Sequence, residues 1–445
     1  MTSKFEERIK GAQKSPLLAR YFSGPDFPDE MPPSKVMSFQ QEALKEVVTR
    51  AYNNSPFYGK KMADAGVNPQ DINSISDLAK MPFTAKDELR GNPWILLACD
   101  KKDISIIHMS TGTTGGEEIY IMQTWNDYYL NELTPGYPHL FNIEADDIAF
   151  NALPYEMSSA GLAFHKVFME GCHATTIPAG KGGAYSSPEK SVKILRDIQP
   201  TIVMTTPSNA IRLAEAAREA SFDLTTLPLR KMWLTGEGCS PAFRKRIEKI
   251  WGTKANFYYG SLEAGGIGAE CDAHNGYHIV QGHVITEIVD PETGKVLEPG
   301  EIGEIVVTCL LRFDTPLIRY RTQDLGYIEP DPCQCGVTFP RLFLRGRVVD
   351  EIKVKGVNLS PFYLEEFLMR IPEVGNWYQF LVKRGNNDRL RVRVELAEGV
   401  EPNRDLVDKL ASKMEFAVGI PCDFEIVSKL PRPRSKTVRV VYDEE

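Results

Sequence analysis

The chain has 445 residues, 42% of them hydrophobic and 25% charged, with a formal net charge of −8. That length predicts two or three domains rather than one core, and the acidic balance excludes a general affinity for nucleic acid or for an anionic membrane. No stretch approaches the roughly 20 apolar residues of a membrane span, and the opening MTSKFEERIKGAQKS lacks an apolar export core, so the expected location is cytoplasmic.

In chain order, residues 1–37 read as an irregular arm rich in proline and charge. From Ser38 to Ala65 apolar residues fall at helical spacing (Phe39, Leu44, Val47, Val48, Ala51, Tyr52), with Pro56 limiting the continuity. Residues 66–105 mix short helices and turns. The middle then alternates. Ile104–Met109, Asp147–Leu153, His173–Ile177, Thr201–Thr205, Lys231–Thr235 and Ala255–Tyr259 read as strands, and Pro188–Asp197, Ser208–Ala220 and Ser240–Trp251 as helices. This order predicts an α/β fold with a largely parallel, helix-covered sheet. Residues 278–328 hold short β-rich runs separated by turns such as DPETG and EPGEIG, which predicts an antiparallel or barrel-like insert. After Gly346 the pattern becomes strand, helix (Pro361–Arg370), two strands (Trp377–Lys383, Arg389–Leu396), helix (Asn403–Ala417) and a basic tail. The expected division is a large N-terminal domain, 1–347, and a small, mobile α+β domain, 348–445.

Five segments can carry chemistry. The first, Ser110-Thr111-Gly112-Thr113-Thr114-Gly115-Gly116, follows a strand and sets glycines among hydroxyls. Such a loop aims backbone amides and hydroxyls at an anion, or is a plain surface turn. It is not a Walker loop. The second, Phe257-Tyr258-Tyr259-Gly260-Ser261-Leu262-Glu263, ends a strand on a glycine and a carboxylate. Glu263 is either a ligand for a Mg²⁺ ion bridging phosphates or a solvated acid. In the third, residues 314–325, Asp324 can accept hydrogen bonds from ribose hydroxyls or form a structural ion pair. The fourth, residues 346–358, contains Arg347, and the fifth, residues 431–439, contains Lys436. Each of these two alone reads as a solvated basic stretch.

The serial order of the five resembles the acyl-adenylate-forming ligase superfamily, and within it the phenylacetate–coenzyme A ligase family. Asn54-Ser55-Pro56-Phe57-Tyr58, Ala65-Gly66-Val67 and the run from Leu78 to Arg90 are similar to that family's N-terminal signature, and the resemblance extends from about residue 38 to the end. It implies activation of a carboxylic acid by ATP to an acyl-adenylate, then transfer to coenzyme A, with an aryl or arylacetic acid as first choice. By the same resemblance, Ser110 to Gly115 hold the ATP phosphates. Gly236, Glu237 and Gly238 contact adenine and the acid pocket. Tyr259 stacks on adenine within Tyr258-Tyr259-Gly260-Ser261. Glu263 binds Mg²⁺, Asp324 binds ribose with Arg347 nearby, and Lys436 reaches the forming bond from the small domain. Tyr155, Met157, Gly161 and Ser208 fall in segments that form the family's acid pocket, with Phe164 either lining it or serving the core. Partners are then a small carboxylic acid and coenzyme A, with a homodimer possible. Other acceptors for the adenylate (an amine, a carrier-protein thiol, or AMP transfer to a coenzyme hydroxyl) stay open, as does a non-catalytic nucleotide-binding scaffold.

Two departures stand out. The phosphate loop continues Gly116-Glu117-Glu118 where the family commonly has lysine, and two acids beside a triphosphate are unfavourable unless they point away. The hinge, often G-R-x-D-D, here has Val349 before Asp350.

Finally, Cys333-Gln334-Cys335-Gly336 and the upstream Cys271 and His278 make a set of three thiolates and one imidazole suited to closed, tetrahedral, structural zinc. His274 is the reserve fourth ligand, and free cytosolic thiols are the alternative.

Overall fold

The computed structural model describes residues 28–110, 117–133, 137–183, 185–348, 352–383, 386–433 and 437–442. The chain forms two compact units. The first comprises Met1–Gly180, Pro200–Met204 and Asn256–Leu344, the second Lys181–Gln199, Thr205–Ala255 and Arg345–Glu445.

In the first unit, among the described residues, the first α-helix spans Pro33–Asn54, with proline in its first turn. It therefore begins within the stretch expected to be irregular. Proline's fixed φ suits a helix start, where its missing N–H has no bond to lose. Val36, Phe39, Ala43, Leu44, Val47, Val48 and Ala51 form its buried face, the spacing of one helical stripe. The helix stops at Ser55, and Pro56 opens the next, Pro56–Asp64, as the proline predicts.

Strand Ile148–Asn151 pairs in parallel with Thr175–Pro178 and with Ile202–Thr205. Other strand pairs of this unit are antiparallel. Ala255–Ser261 joins Gly265–Glu270, then Tyr277–Ile279, then Arg341–Arg347. Val284–Val289 joins Gly303–Cys309 and then Tyr320–Glu329. The insert is thus antiparallel, as its turns predict. Its central strand, Gly303–Cys309, is buried at every position and packs in a core with Leu44, Val47, Ile285 and Leu342. Helices Trp125–Leu133 and Ser159–Lys166 also belong here; their short apolar patterns were not legible in the sequence.

The second unit contains helices Pro188–Ile198, Pro207–Glu219 and Pro241–Trp251. Each begins with proline behind a Ser or Thr side-chain cap (Ser187, Thr206, Ser240). Beyond residue 352, Val374–Val382 pairs antiparallel with Leu390–Leu396 and parallel with Val440–Tyr442, while Leu390–Leu396 pairs parallel with Cys422–Ile426. Helices Pro361–Met369 and Arg404–Val418 complete this α+β layer. Among the described residues, no helix is long and apolar enough to cross a membrane.

Candidate active site

The tyrosine-rich strand ends in a turn that only glycine permits. A Cβ on Gly260 would lie 2.4 Å from the Gly265 carbonyl oxygen, so strands Ala255–Ser261 and Gly265–Glu270 can close only around a residue with no side chain. Glu263 sits on this turn and is 5% exposed. Its carboxylate lies 3.8 Å from the Lys86 ammonium. Its main-chain carbonyl accepts from the buried guanidinium of Arg312, which also donates to Thr315 Oγ1 at 3.2 Å. The 313–315 stretch is fixed in turn by Asp127, whose carboxylate accepts from the amides of Phe313, Asp314 and Thr315. Burial, reinforced by the Asp314 charge, pushes the Asp127 carboxyl up to about 6 despite those amides.

Tyr259, on the same strand, donates its hydroxyl to Asp324 Oδ2 at 2.6 Å. Asp324 follows a bulge. The pairing of Gly303–Cys309 with Tyr320–Glu329 shifts register between Glu304 and Val306, and Gln323 adopts φ +65°. The Gln323 amide donates to Glu304 Oε1 and the Asp324 amide to Thr322 Oγ1, each at 3.1 Å. Thr322, Gln323 and Asp324 thus stand opposite the single Ile305; extra residues of this kind re-aim a side chain, and here the side chain is Asp324.

Tyr258 meets Phe164 edge-on, ring centroids 4.9 Å apart. Phe164 is 6% exposed and is a core residue. Tyr155 accepts from Asn151 Nδ2 at 2.9 Å, and Asn151 also donates to the Gly161 carbonyl at 2.9 Å; burial pushes the Tyr155 phenol up to about 12. Gly161 is required by packing, because a Cβ would stand 2.5 Å from the Pro154 carbonyl. Met157 has φ +50° and is 68% exposed. Ser110 is half-buried and its Oγ accepts from the Ile119 amide at 3.0 Å. Glu117 and Glu118 are both exposed, a placement in which neither carboxylate is forced into a low-dielectric site.

In the second unit, Gly236 adopts φ +80° and is exposed, as is Gly238. Glu237 between them turns inward. Its carboxylate takes the Lys181 ammonium at 2.9 Å, the Ser208 hydroxyl at 2.7 Å and the Ser208 amide at 3.1 Å. Burial alone would raise its pKa, but the Lys181 charge and these hydrogen bonds outweigh it and hold the carboxyl below its ordinary value. Arg347 ends its strand half-buried. Thr111, Gly112, Thr113, Thr114, Gly115, Gly116, Val349, Asp350 and Lys436 lie outside the described residues.

Cys271, His278, Cys333 and Cys335 converge in the first unit, their ligand atoms all within 4.8 Å of one another. Cys271 Sγ is 3.7 Å from Cys333 Sγ, and Cys335 Sγ is 3.3 Å from His278 Nε2. His278 Nδ1 faces the Phe339 carbonyl at 3.1 Å, which selects the tautomer that leaves Nε2 free to ligate. The donor set fits zinc. His274 is in contact range of Glu270 instead, at 3.8 Å.

Lys86, Lys181, Asp127 and Arg312 were not singled out by the sequence. Each acts through a partner far away in the chain, and no local pattern marks them.

The AMP-binding enzyme family matches residues 42–309, and its C-terminal domain family matches residues 356–444. A phenylacetate-coenzyme A ligase of Thermus thermophilus is 31% identical over 432 residues, covering 92% of this chain and 96% of that one. Another, from Escherichia coli, is 34% identical over 421 residues, covering 91% and 94%. The chain belongs to the phenylacetate–coenzyme A ligase family of AMP-binding enzymes. The ligase is accordingly an AMP-forming enzyme that joins an acid to a thiol through an acyl-adenylate. A 2-hydroxyisobutyryl-CoA ligase shares its fold at 24% identity. In the postadenylation state with 2-HIB-AMP that structure gives a TM-score of 0.85, covering 93% of this chain and 90% of the other. In the thioesterification state, with 2-HIB-AMP and CoA, it gives 0.66, covering 93% and 91%.

Proposed function

We propose that this ligase activates an aryl or arylacetic acid and passes it to coenzyme A. In the first step a carboxylate oxygen bonds to the α-phosphorus of ATP and pyrophosphate leaves. In the second, the coenzyme A thiolate attacks the acyl carbonyl and AMP leaves. The observation that carries the reading is end-to-end similarity, above 90% of each chain, to relatives named phenylacetate-coenzyme A ligase.

The residues fit that chemistry. Tyr259 and Asp324 form one hydrogen-bonded unit, suited to an adenine face and a ribose hydroxyl. Glu263, nearly buried and braced by Arg312, offers carboxylate oxygens to a Mg²⁺ ion, which would supply positive charge to the phosphates. Glu237, held ionised by Lys181, and Ser208 fix the Gly236–Gly238 loop; by the family resemblance, Ser208, Gly236 and Gly238, and separately Tyr155, Met157 and Gly161, are the residues that receive the acid. Ser110 to Gly115 hold the ATP phosphates, Arg347 assists Asp324 at the ribose, and Lys436 offsets the repulsion between the attacking carboxylate and the triphosphate where charge develops. The small C-terminal domain, taken as 348–445, changes orientation between the two steps so that one site serves both. Zinc at Cys271, His278, Cys333 and Cys335 is structural. A homodimer in the cytoplasm completes the reading.

The test is ATP–pyrophosphate exchange with Mg²⁺ across phenylacetate, benzoates, aminobenzoates, short hydroxy acids and amino acids, followed by thioester formation with coenzyme A. Exchange with an aryl or arylacetic acid, abolished in Lys436→Ala, is the expected result. Exchange only with a hydroxy or amino acid overturns the substrate class. Exchange without thioester moves the acceptor to an amine, a carrier protein or a hydroxyl.

A further inference from the structure

Two helices of the second unit, more than a hundred residues apart in sequence, cap each other. Helix Pro241–Trp251 sends Arg246 to the C-terminal end of helix Pro361–Met369. There the guanidinium donates to the carbonyls of Met369 (2.8 Å), Ile371 (2.8 Å), Val374 (2.7 Å) and Gly375 (3.1 Å). In return, helix Pro361–Met369 sends two carboxylates to the N-terminal end of Pro241–Trp251. Glu365 accepts from the Ser240 amide at 2.5 Å and Glu366 from the Ala242 amide at 2.7 Å. Glu365 is 4% exposed and also accepts from the buried Tyr378 hydroxyl. Unbonded carbonyls at a helix end favour a cation and unbonded amides a carboxylate, so both ends of the contact are satisfied in trans by the charge each prefers.

These contacts would be lost together if either helix moved. Glu365 is buried, while Glu366 and Arg246 are half-buried; parting the helices breaks several charge-assisted hydrogen bonds at once, so the contact should act as an on-or-off device rather than a graded one. We propose that Arg246, Glu365 and Glu366 are positioning residues, a reciprocal clasp that holds the C-terminal segment in place for adenylation and releases it for thioester formation. The inference rests on the two-step function proposed above. The clasp is closed in this structure, and the closed contact is assigned to adenylation, the first of the two steps.

The experiment separates the half-reactions in full-length enzyme. ATP–pyrophosphate exchange reads adenylation, and rapid mixing of enzyme-bound acyl-adenylate with coenzyme A reads transfer. Arg246→Met breaks one side of the clasp and Glu366→Gln the other. Glu366 also pairs with Arg370, so its neutral isostere is a mild change that keeps the fold testable should Arg246→Met not fold. The expected result is exchange slowed about tenfold in Arg246→Met and about threefold in Glu366→Gln, the scale of lost charge-assisted hydrogen bonds. Transfer should run at the unsubstituted rate or faster, and Arg246→Lys should recover part of the exchange. Equal slowing of both half-reactions, or of neither, overturns the clasp. Failure of the unsubstituted enzyme to exchange with any acid instead removes the functional reading, and the clasp with it.

Discussion

The phenolic hydroxyl of Tyr259 donates to Asp324 Oδ2 at 2.6 Å, tying a strand residue to a carboxylate re-aimed by a bulge in another strand. If the pair receives the nucleoside, Tyr259→Phe keeps the ring but removes that hydrogen bond to the carboxylate. The expected outcome is a KM for ATP raised about fivefold with kcat nearly unchanged, the worth of one hydrogen bond of about 1 kcal/mol. Asp324→Ala should raise it by more than about tenfold. Steady-state pyrophosphate release against ATP concentration checks both, and unchanged KM in the two variants rules the pair out of nucleoside binding.

Lys181 is the cation that makes buried Glu237 tolerable. Lys181→Met leaves the carboxylate inside without its partner and should destabilise the ligase by about 3–5 kcal/mol, measured by urea denaturation at pH 7. The pH dependence follows from the sign of the shift. The folded-state pKa of Glu237 lies below its ordinary 4.5, so its contribution is present above 4.5 and is lost as pH falls through the lower folded value. In Lys181→Met the carboxyl pKa rises, and that variant should lose less stability than the parent between pH 5 and pH 4.

Asp127 titrates the other way. Its carboxyl is raised from 3.8 to about 6, so its contribution is fully present below 3.8 and is lost as pH rises through about 6. Asp127→Asn replaces one acceptor oxygen with an amide that faces the donors of Phe313, Asp314 and Thr315, a penalty of about 1–3 kcal/mol. That penalty should shrink by about 1 kcal/mol between pH 5 and pH 7. A pH-independent difference in urea midpoints would show that Asp127 keeps one charge state across the range.

The four-residue sulfur and imidazole cluster should bring about one zinc per chain through purification, measured by elemental analysis. Cys333→Ser with Cys335→Ser should abolish the metal and lower the thermal midpoint by several degrees, because the metal joins loops on either side of the β-rich insert. With all four positions filled by protein ligands, pyrophosphate exchange by the remaining folded enzyme should stay within about twofold. Loss of exchange without loss of stability would point to an open, catalytic metal instead.

Linear order and residue type determined much of this protein. The glycine–hydroxyl loop, the tyrosine strand ending in Glu263, the Asp324 segment and the terminal lysine stretch stand in one sequence order, and that order alone points to the family. The cysteine spacing nominated a metal set whose atoms do converge, because thiols and imidazole at turn positions are legible as residue types. The helix start at Pro33 rather than Ser38 was missed, since the pattern before Val36 is polar and only proline's fixed φ marks it. Lys86 beside Glu263, Lys181 beneath Glu237, Asp127 under the 313–315 amides and Arg246 at a distant helix end were settled by tertiary structure alone. A buried charge is stabilised by whatever partner the fold delivers, and sequence separation carries no record of which partner that is.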